Sequence, residues 1–343
     1  MSAATSTIRN RLLVTGGAGF IGSNFIHYWL KQHPEDQIVN LDALTYAGSL
    51  TTLQDIASDA NYTFVQGSIT DRKLVDELMS NSDVVVHFAA ETHVDRSIAT
   101  PEVFLETNVL GTFELVRAAL AHNIKRFHHI STDEVFGALE LDSAEKFTLE
   151  SPYQPHSPYA ASKASSDHIV RSFGDTYGLP FTLTNCSNNY GEYHFPEKMI
   201  PRAITNLMDG EKVPIYGDGL YVRDWLYVQD HCQAIELVLE SGQVGETYLV
   251  GGMNKDVNNL ELTALLLRMM GKDESMLEYV ADRPGHDRRY SVDWSYINQK
   301  LGWQPSVTLE EGLQKTVDWY QSHQDWWRPL KTTATVKNRS TLE

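Results

Sequence analysis

The segment "HHISTDEVFG" (128–137) places Thr132, Asp133 and Glu134 where a short β-strand runs out. Two adjacent carboxyls at the mouth of a buried strand disfavour each other's charge, and burial disfavours both. Such a pair suits a reaction that needs an acid and a base together, because one carboxyl stays protonated beside an ionised one. The plainer reading is a turn pair on an exposed rim. A second arrangement stands in "SPYAASKASSDH" (157–168), where Tyr159 and Lys163 lie four apart and share one helix face. An ammonium beside a phenol lowers the phenol's pKa from about 10. A Tyr so poised takes a proton from a hydroxyl while hydride leaves the same carbon. Alone, this pair reads as an ordinary amphipathic helix.

A hydride needs an acceptor, and "LLVTGGAGFIGSN" (12–24) supplies a place for one. Gly16, Gly19 and Gly22 follow an apolar strand and open a helix. The first glycine permits a tight turn, the next lets backbone approach a pyrophosphate, and the third lets helix and strand pack closely. The helix N-terminus then favours the anion. Asp42 lies 20 residues beyond Gly22, at the end of the second strand. A carboxylate there accepts from the ribose hydroxyls of NAD and repels the extra phosphate of NADP. The expected cofactor is NAD.

These groups need a scaffold. Strands are expected at 11–16, 37–42, 62–67, 83–90, 126–131 and 181–186, with helices at 23–33, 71–80, 101–122 and 157–177. This alternation predicts an α/β fold, a doubly wound parallel (Rossmann) sheet. After about residue 190 the rhythm breaks into loops rich in Gly, Pro, Tyr and Trp, with helices at 199–209, 230–241 and 259–270. The expected division is a flexible N-terminus (1–10), an NAD-binding domain (11–190) and a smaller, mostly C-terminal substrate-binding lobe (191–327). Some segments of that lobe are allowed to return to the sheet, and residues 328–343 are expected to form a flexible tail.

The 343 residues are 42% hydrophobic and carry a net charge of −17. That surface argues against nucleic acid and against an anionic membrane. No apolar run reaches the roughly 20 residues a membrane span needs, and the polar start lacks a secretory signal. Two cysteines, Cys186 and Cys232, make no disulfide framework. A cytoplasmic protein is expected. His128 and His129 are adjacent on a strand and point to opposite faces, and His87 and His93 lack ligand spacing, so no metal is expected.

The glycines, the Tyr/Lys pair and the stretches "HFAAETHVDRS", "ISTDEVFG", "TNCSNNYG", "YHFPEKMIP", "VRDWLYVQDH" and "RPGHDRRY" resemble the extended short-chain dehydrogenase/reductase family, and within it the nucleotide-sugar 4,6-dehydratases. The resemblance runs from about residue 11 to 315. It implies a nucleoside-diphosphate hexose substrate, dTDP-glucose or UDP-glucose. In the implied reaction Tyr159 removes the 4-hydroxyl proton as NAD takes hydride, with Thr132 holding that hydroxyl. Glu134 then takes the C5 proton and Asp133 protonates the departing C6 hydroxyl, after which hydride returns to C6. A 4-epimerase and a non-catalytic NAD-sensing module are the alternatives. The first is not expected to carry the Thr-Asp-Glu run, and the second needs none of the reactive residues.

The resemblance also implies binding positions. For NAD these are Phe20 and Ile21 with the glycines, Asp42, Ala43, Leu44 and Thr45 at the ribose, and Ser68 and Ile69 at the adenine. Phe88, Ala89, Ala90, Thr92, Thr107 and Asn189 line the rest of its path, which ends at Tyr159 and Lys163. For the nucleotide sugar they are Thr92, Thr132 and Asn188, then Lys198, Met199, Pro214 and Tyr216 around the nucleoside. Arg223, Asn254, Arg283 and His286 complete them, Arg223 because a planar donor fork suits a diphosphate. Three positions depart from the family pattern: Ser68 for Asp, Glu192 for Pro and Thr92 for Ser. The resemblance implies a homodimer, for which the helices at 101–122 and 157–177 are candidate interface elements.

Overall fold

Leu13 and Val14 are neighbours on one strand, and both are wholly buried. Neighbouring strand residues point to opposite faces, so this strand is covered on both sides. Leu13 packs with Val75, Leu115, Phe127 and Val170; Val14 packs with Phe25, Ile26, Trp29 and Ile235. The computed structural model describes residues 10–253, 255–282 and 285–340, with backbone alone for 333–340.

The chain runs β1 (Arg11–Thr15), α1 (Phe20–Gln32), β2 (Gln37–Asp42), β3 (Tyr62–Gln66), α2 (Arg72–Met79), β4 (Val84–His87), α3 (Val94–Ala99), α4 (Pro101–Phe104), α5 (Thr112–Ala121), β5 (Arg126–Thr132), α6 (Pro158–Tyr177) and β6 (Phe181–Cys186). Beyond these come β7 (Asn188–Tyr190), α7 (Met199–Asp209), β8 (Val213–Tyr216), β9 (Val222–Arg223), β10 (Trp225–Tyr227), α8 (Val228–Ser241), β11 (Thr247–Val250), β12 (Val257–Asn258), α9 (Asn259–Met269), β13 (Leu277–Val280), α10 (Ser295–Leu301), α11 (Leu309–Ser322) and α12 (Gln324–Ser340). Seven parallel strands form the sheet in the order β11-β6-β5-β4-β1-β2-β3. The order reverses between β1 and β4, and in such sheets the crevice at the strands' carboxyl ends is where a ligand fits. The fold is the expected doubly wound one.

Two expectations need adjustment. The helix expected over 101–122 is interrupted by a π-helical stretch at Leu105–Gly111. This wider turn lets Asn108 reach inward, where its amide bonds the backbone of Glu91 on both sides (2.8 and 3.0 Å) and Ser162 Oγ (2.8 Å). One segment beyond residue 190 does return to the sheet, as β11 beside β6; its short length hid which one among loops. Finally, the segment read as a flexible tail is helical through Ser340. Trp327 is buried and donates to the Tyr320 carbonyl (2.8 Å), while Arg328 and Lys331 both reach Asp209 (2.9 and 2.8 Å).

The C-terminal segments have a core of their own, in which Ile200, Ile204, Leu207, Trp225, Leu262, Leu313 and Tyr320 meet. Three two-stranded sheets, β10-β7, β12-β9 and β13-β8, frame it. Among the described residues no helix is long and apolar enough to cross a membrane.

Candidate active site

The first site element is the turn after β1. Gly16 has φ +74°, and a Cβ there would lie 2.5 Å from the Ala89 nitrogen. A Cβ on Gly22 would lie 2.4 Å from the Gly16 carbonyl oxygen. Only glycine fits either position, so helix, turn and β4 close on one another. The first-turn amides of Phe20, Ile21 and Gly22 find no acceptor among the described residues, as at any helix start. Asp42 fixes the rim by accepting from Ala18 N (2.9 Å) and Leu44 N (2.8 Å). Burial pushes its pKa up, and the two backbone donors oppose that. Each oxygen keeps acceptor capacity for a further hydroxyl. A glycine cradle, open amides and a carboxylate at the end of β2 together fit NAD.

Other expected cofactor positions surround this cradle. Phe20 stacks on His194 (4.3 Å between centroids) and Phe88 packs on Phe25 (5.3 Å). Ala43 and Thr45 continue the Asp42 loop, in which Leu44 takes φ +53°. Ser68 bonds Thr70 (2.7 Å) and so shapes its own turn, while Ile69 is buried. Ala90 and Thr92 follow β4, and the Thr92 hydroxyl meets Tyr46 OH (2.9 Å). Thr107 lies on the π-helical stretch. Asn189 holds His231 (2.9 Å) and the Ser187 carbonyl (3.0 Å), so its side chain braces the protein.

The second element is the end of β5. The strand stops at Thr132, and Asp133–Phe136 form a 3-10 turn capped by the Thr132 hydroxyl, which accepts from Glu134 N (3.2 Å). Val135 and Phe136 anchor the turn in a cluster with Phe147 and Tyr290. Gly137 ends it at φ +89°, where a Cβ would lie 2.5 Å from the Gln154 carbonyl oxygen. Asp133 is wholly buried; its Oδ1 accepts from Thr132 (3.3 Å), and Oδ2 has no hydrogen-bond partner among the described residues. Burial, then the charges of Glu134 and Asp224, push its pKa well above the carboxylate range. Asp133 is therefore biased toward its neutral, acid form. Glu134 is only half-buried.

The third element is α6. Ser157 caps it by accepting from Ala160 N (3.1 Å), and Pro158 occupies its first turn. Lys163 is buried and donates to the Ile130 carbonyl (2.8 Å), one strand pair before Thr132. In this state burial, and after it the Glu134 charge, hold the Tyr159 pKa well above 10. The phenol pays the cost of leaving water, and the ammonium directs a proton to Ile130. Glu134 acts electrostatically on Tyr159.

The expected substrate positions divide. Arg223, Tyr216 and His286 form one patch: Tyr290 lies under the Arg223 guanidinium (4.5 Å) and His286 stacks on Tyr221 (3.7 Å) with Tyr216 at its edge (6.3 Å). This patch adjoins the carboxyls, since Arg223 acts on Asp133 and Glu134 acts on Tyr290. Two of the Arg223 donors are committed, to the Val222 and Asp287 carbonyls (2.7 and 3.0 Å), leaving part of the fork for a ligand. His286 also meets Asp282 (2.8 Å). Lys198 precedes α7, and Met199 packs in the lobe core where Val213 and Ile215 flank Pro214. Asn188 Oδ1 is buried with no hydrogen-bond partner among the described residues. Asn254 and Arg283 lie outside the described residues. Glu192 is absorbed structurally, accepting from Tyr227 OH (2.6 Å) while its carbonyl takes Asn24 (2.9 Å).

Sequence reasoning passed over several residues here. Tyr46 sits under Arg96 (3.8 Å), which pairs with Glu197 (3.3 Å). Asp224, next to Arg223 in "VRDW", is buried, accepts from Gly252 and Met253 amides (2.8 and 2.9 Å), and is pushed up to about 6. Cys186, below Tyr159, is pushed up to about 12 by burial. His128 meets Thr182 (2.9 Å), and His129 meets Asp167 (3.1 Å) on the opposite face. No spacing rule flags such partners, which come together only across strands.

Comparison with known proteins places these features. The family model described as GDP-mannose 4,6 dehydratase matches residues 13–316. A curated relative, the dTDP-glucose 4,6-dehydratase of Mycobacterium tuberculosis, is 51% identical over 322 residues, 94% of this chain and 96% of the relative. Among solved structures, DesIV, the dTDP-glucose 4,6-dehydratase of Streptomyces venezuelae, with NAD bound, is 48% identical with a TM-score of 0.90, covering 93% of this chain and 99% of that one. The dTDP-glucose 4,6-dehydratase of Bacillus anthracis, in complex with NAD, is 45% identical with a TM-score of 0.87, covering 94% and 99%.

Proposed function

We infer the reaction from the premise that this chain belongs to the GDP-mannose 4,6-dehydratase family and shares about half its residues, end to end, with dTDP-glucose 4,6-dehydratases. The protein is an NAD-dependent lyase that converts dTDP-glucose to dTDP-4-keto-6-deoxyglucose and water. The observation that carries this reading is the wholly buried Asp133, biased toward its protonated form beside Glu134 at the end of β5. Oxidation at C4 alone does not need such a pair. Loss of a hydroxyl from C6 with a proton from C5 does.

The chemistry divides among the chain's own groups. Thr132 holds the sugar's 4-hydroxyl and Tyr159 takes its proton. NAD, held by the glycine turn after β1 and Asp42 at the end of β2, would supply the acceptor for the C4 hydride and its source for C6. Glu134 removes the C5 proton, which the new C4 ketone makes acidic, and a proton returns to C5 when hydride reaches C6. Asp133 gives its proton to the C6 hydroxyl, which leaves as water. Each proton transfer contributes on the order of 10²–10⁴ in rate. The base role of Tyr159 depends on positive charge nearby, and Lys163 is this chain's source of it. Arg223 and His286 meet the diphosphate end, with Asn188 and Thr92 nearer the hexose.

Exposed Ile98, Val103, Leu105, Leu110, Phe113 and Tyr177 on α3–α6 and the π-helical stretch support a homodimer through these helices. Two buried free thiols, Cys186 and Cys232, suit the cytoplasm. The deciding experiment incubates purified protein with dTDP-glucose and, in parallel, UDP-glucose, without consumable NAD. A 4-keto-6-deoxy product from dTDP-glucose is expected. A product retaining its 6-hydroxyl refutes the dehydration, and faster turnover of UDP-glucose reassigns the nucleoside.

A further inference from the structure

Tyr159, Lys163 and Asp167 follow at four-residue intervals along α6 and so share one face. Asp167 is wholly buried, yet its carboxylate is fully engaged. One oxygen accepts from Ser131 Oγ (2.9 Å), Tyr153 OH (2.8 Å) and Asn185 Nδ2 (3.2 Å). The other meets His129 Nε2 (3.1 Å). Four donors on one carboxyl favour its ionised form, and they hold Asp167 below the usual carboxylate range despite burial.

Lys163 is equally enclosed, and burial lowers its pKa while the Asp167 charge opposes that. The other groups around it do not supply a counter-charge. On β4 and β5, His87 and His129 are kept neutral by burial. On β6, the Cys186 thiol is pushed up to about 12. Tyr159, on α6 itself, is a neutral phenol, and Ile130 offers a carbonyl. Arg171 lies two turns beyond Lys163, bonding Tyr153 OH (3.1 Å), and carries the same sign as the lysine.

We propose that Asp167 is the buried counter-charge that keeps Lys163 an ammonium, and thereby a positioning residue for Tyr159. The inference rests on the role given to Lys163 above. Asp167 touches no reacting atom; it acts through the charge state of its neighbour one turn away.

The test titrates Lys163 directly in the holoenzyme, by NMR of isotope-labelled lysine assigned with Lys163→Arg, and records kcat against pH. In the parent, Lys163 is expected to remain charged at neutral pH. In Asp167→Asn its midpoint falls by about one unit or more, and the alkaline limb of kcat moves to lower pH with it. Ser131→Ala and Tyr153→Phe remove donors but keep the charge, so both should leave the lysine midpoint near the parent's. A neutral Lys163 at neutral pH in the parent overturns the proposal even if Asp167→Asn does not fold. An unmoved midpoint in folded Asp167→Asn overturns it too. A midpoint that moves without the kcat limb supports the counter-charge and instead removes Lys163 from the proposed chemistry.

Discussion

Lys163 reaches from α6 to the carbonyl oxygen of Ile130 on β5, donating at 2.8 Å. The bond ties the helix that carries Tyr159 to the strand that ends in the carboxyl pair. Lys163→Met removes both the ammonium and the donor. A buried carbonyl without its donor costs about 1–3 kcal/mol, but the desolvated charge also disappears, so stability should change little. Turnover should fall on the order of 10²–10⁴-fold. Steady-state kinetics beside thermal unfolding check this; unfolding at room temperature would assign Lys163 to structure alone.

Asp133 and Glu134 should be separable from Tyr159 by the stage at which the reaction stops. Asp133→Asn and Glu134→Gln each leave C4 oxidation in place and block water loss. Reduced cofactor and a 4-keto-6-hydroxy sugar should then accumulate, read by near-ultraviolet absorbance and product mass. Variants that show neither species would place the pair before the oxidation.

The protonation of Asp133 also predicts a pH effect on stability. Burial raises its folded pKa well above the ordinary value. Between the unfolded value of about 3.9 and the raised one, the folded protein holds a proton that the unfolded chain releases. Stability from this group therefore falls as pH rises through that window. Asn has no such proton, so Asp133→Asn should gain on the parent as pH rises through that window. Tm values at equal NAD loading measure it, and a gap that does not widen with pH contradicts a neutral Asp133.

Gly16→Ala meets two obstacles: φ of +74° and the Ala89 backbone 2.5 Å from the new Cβ. Because the neighbour is backbone, the turn itself must move. A loss of about 1–3 kcal/mol and of bound NAD is expected in denaturant unfolding and cofactor stoichiometry. Full NAD occupancy in this variant would show that the cradle tolerates a different turn.

Asp42 holds Ala18 and Leu44 amides on separate oxygens. Asp42→Asn turns one oxygen into a donor and removes the charge that repels a ribose phosphate. Weaker NAD binding and improved relative binding of NADP are expected in apoenzyme titrations. An unchanged ratio would shift cofactor selection elsewhere on the rim.

Much of this site was legible because its signals are local. The glycines of "GGAGFIG" need no partner to be recognised, since turn, helix start and close approach are consequences of missing side chains. Tyr159 and Lys163 are linked by helical periodicity, and Ser157 with Pro158 marks where that helix begins. Arg223 was legible only in part: its planar fork suggested a diphosphate, but two of its donors close on the Val222 and Asp287 carbonyls. Likewise Asn189, read as a cofactor contact, also bonds His231, a partner no local pattern signalled. Residue type reveals what a side chain can bond, not which partner arrives.

By itself the sequence determined the alternation of strand and helix, the dinucleotide turn and the set of reactive groups, because each depends on residues within a few positions. The tertiary structure alone decided their charge states. Asp133 is pushed toward its neutral form because the 3-10 turn buries it and the charges of Glu134 and Asp224 act on it. Tyr159 remains a phenol because its pocket excludes water and contains carboxyls. Asp167 becomes an anion because β5, β6 and Tyr153 bring four donors to it from 14 to 38 residues away. Desolvation and long-range hydrogen bonds exist only once the chain has closed around these groups.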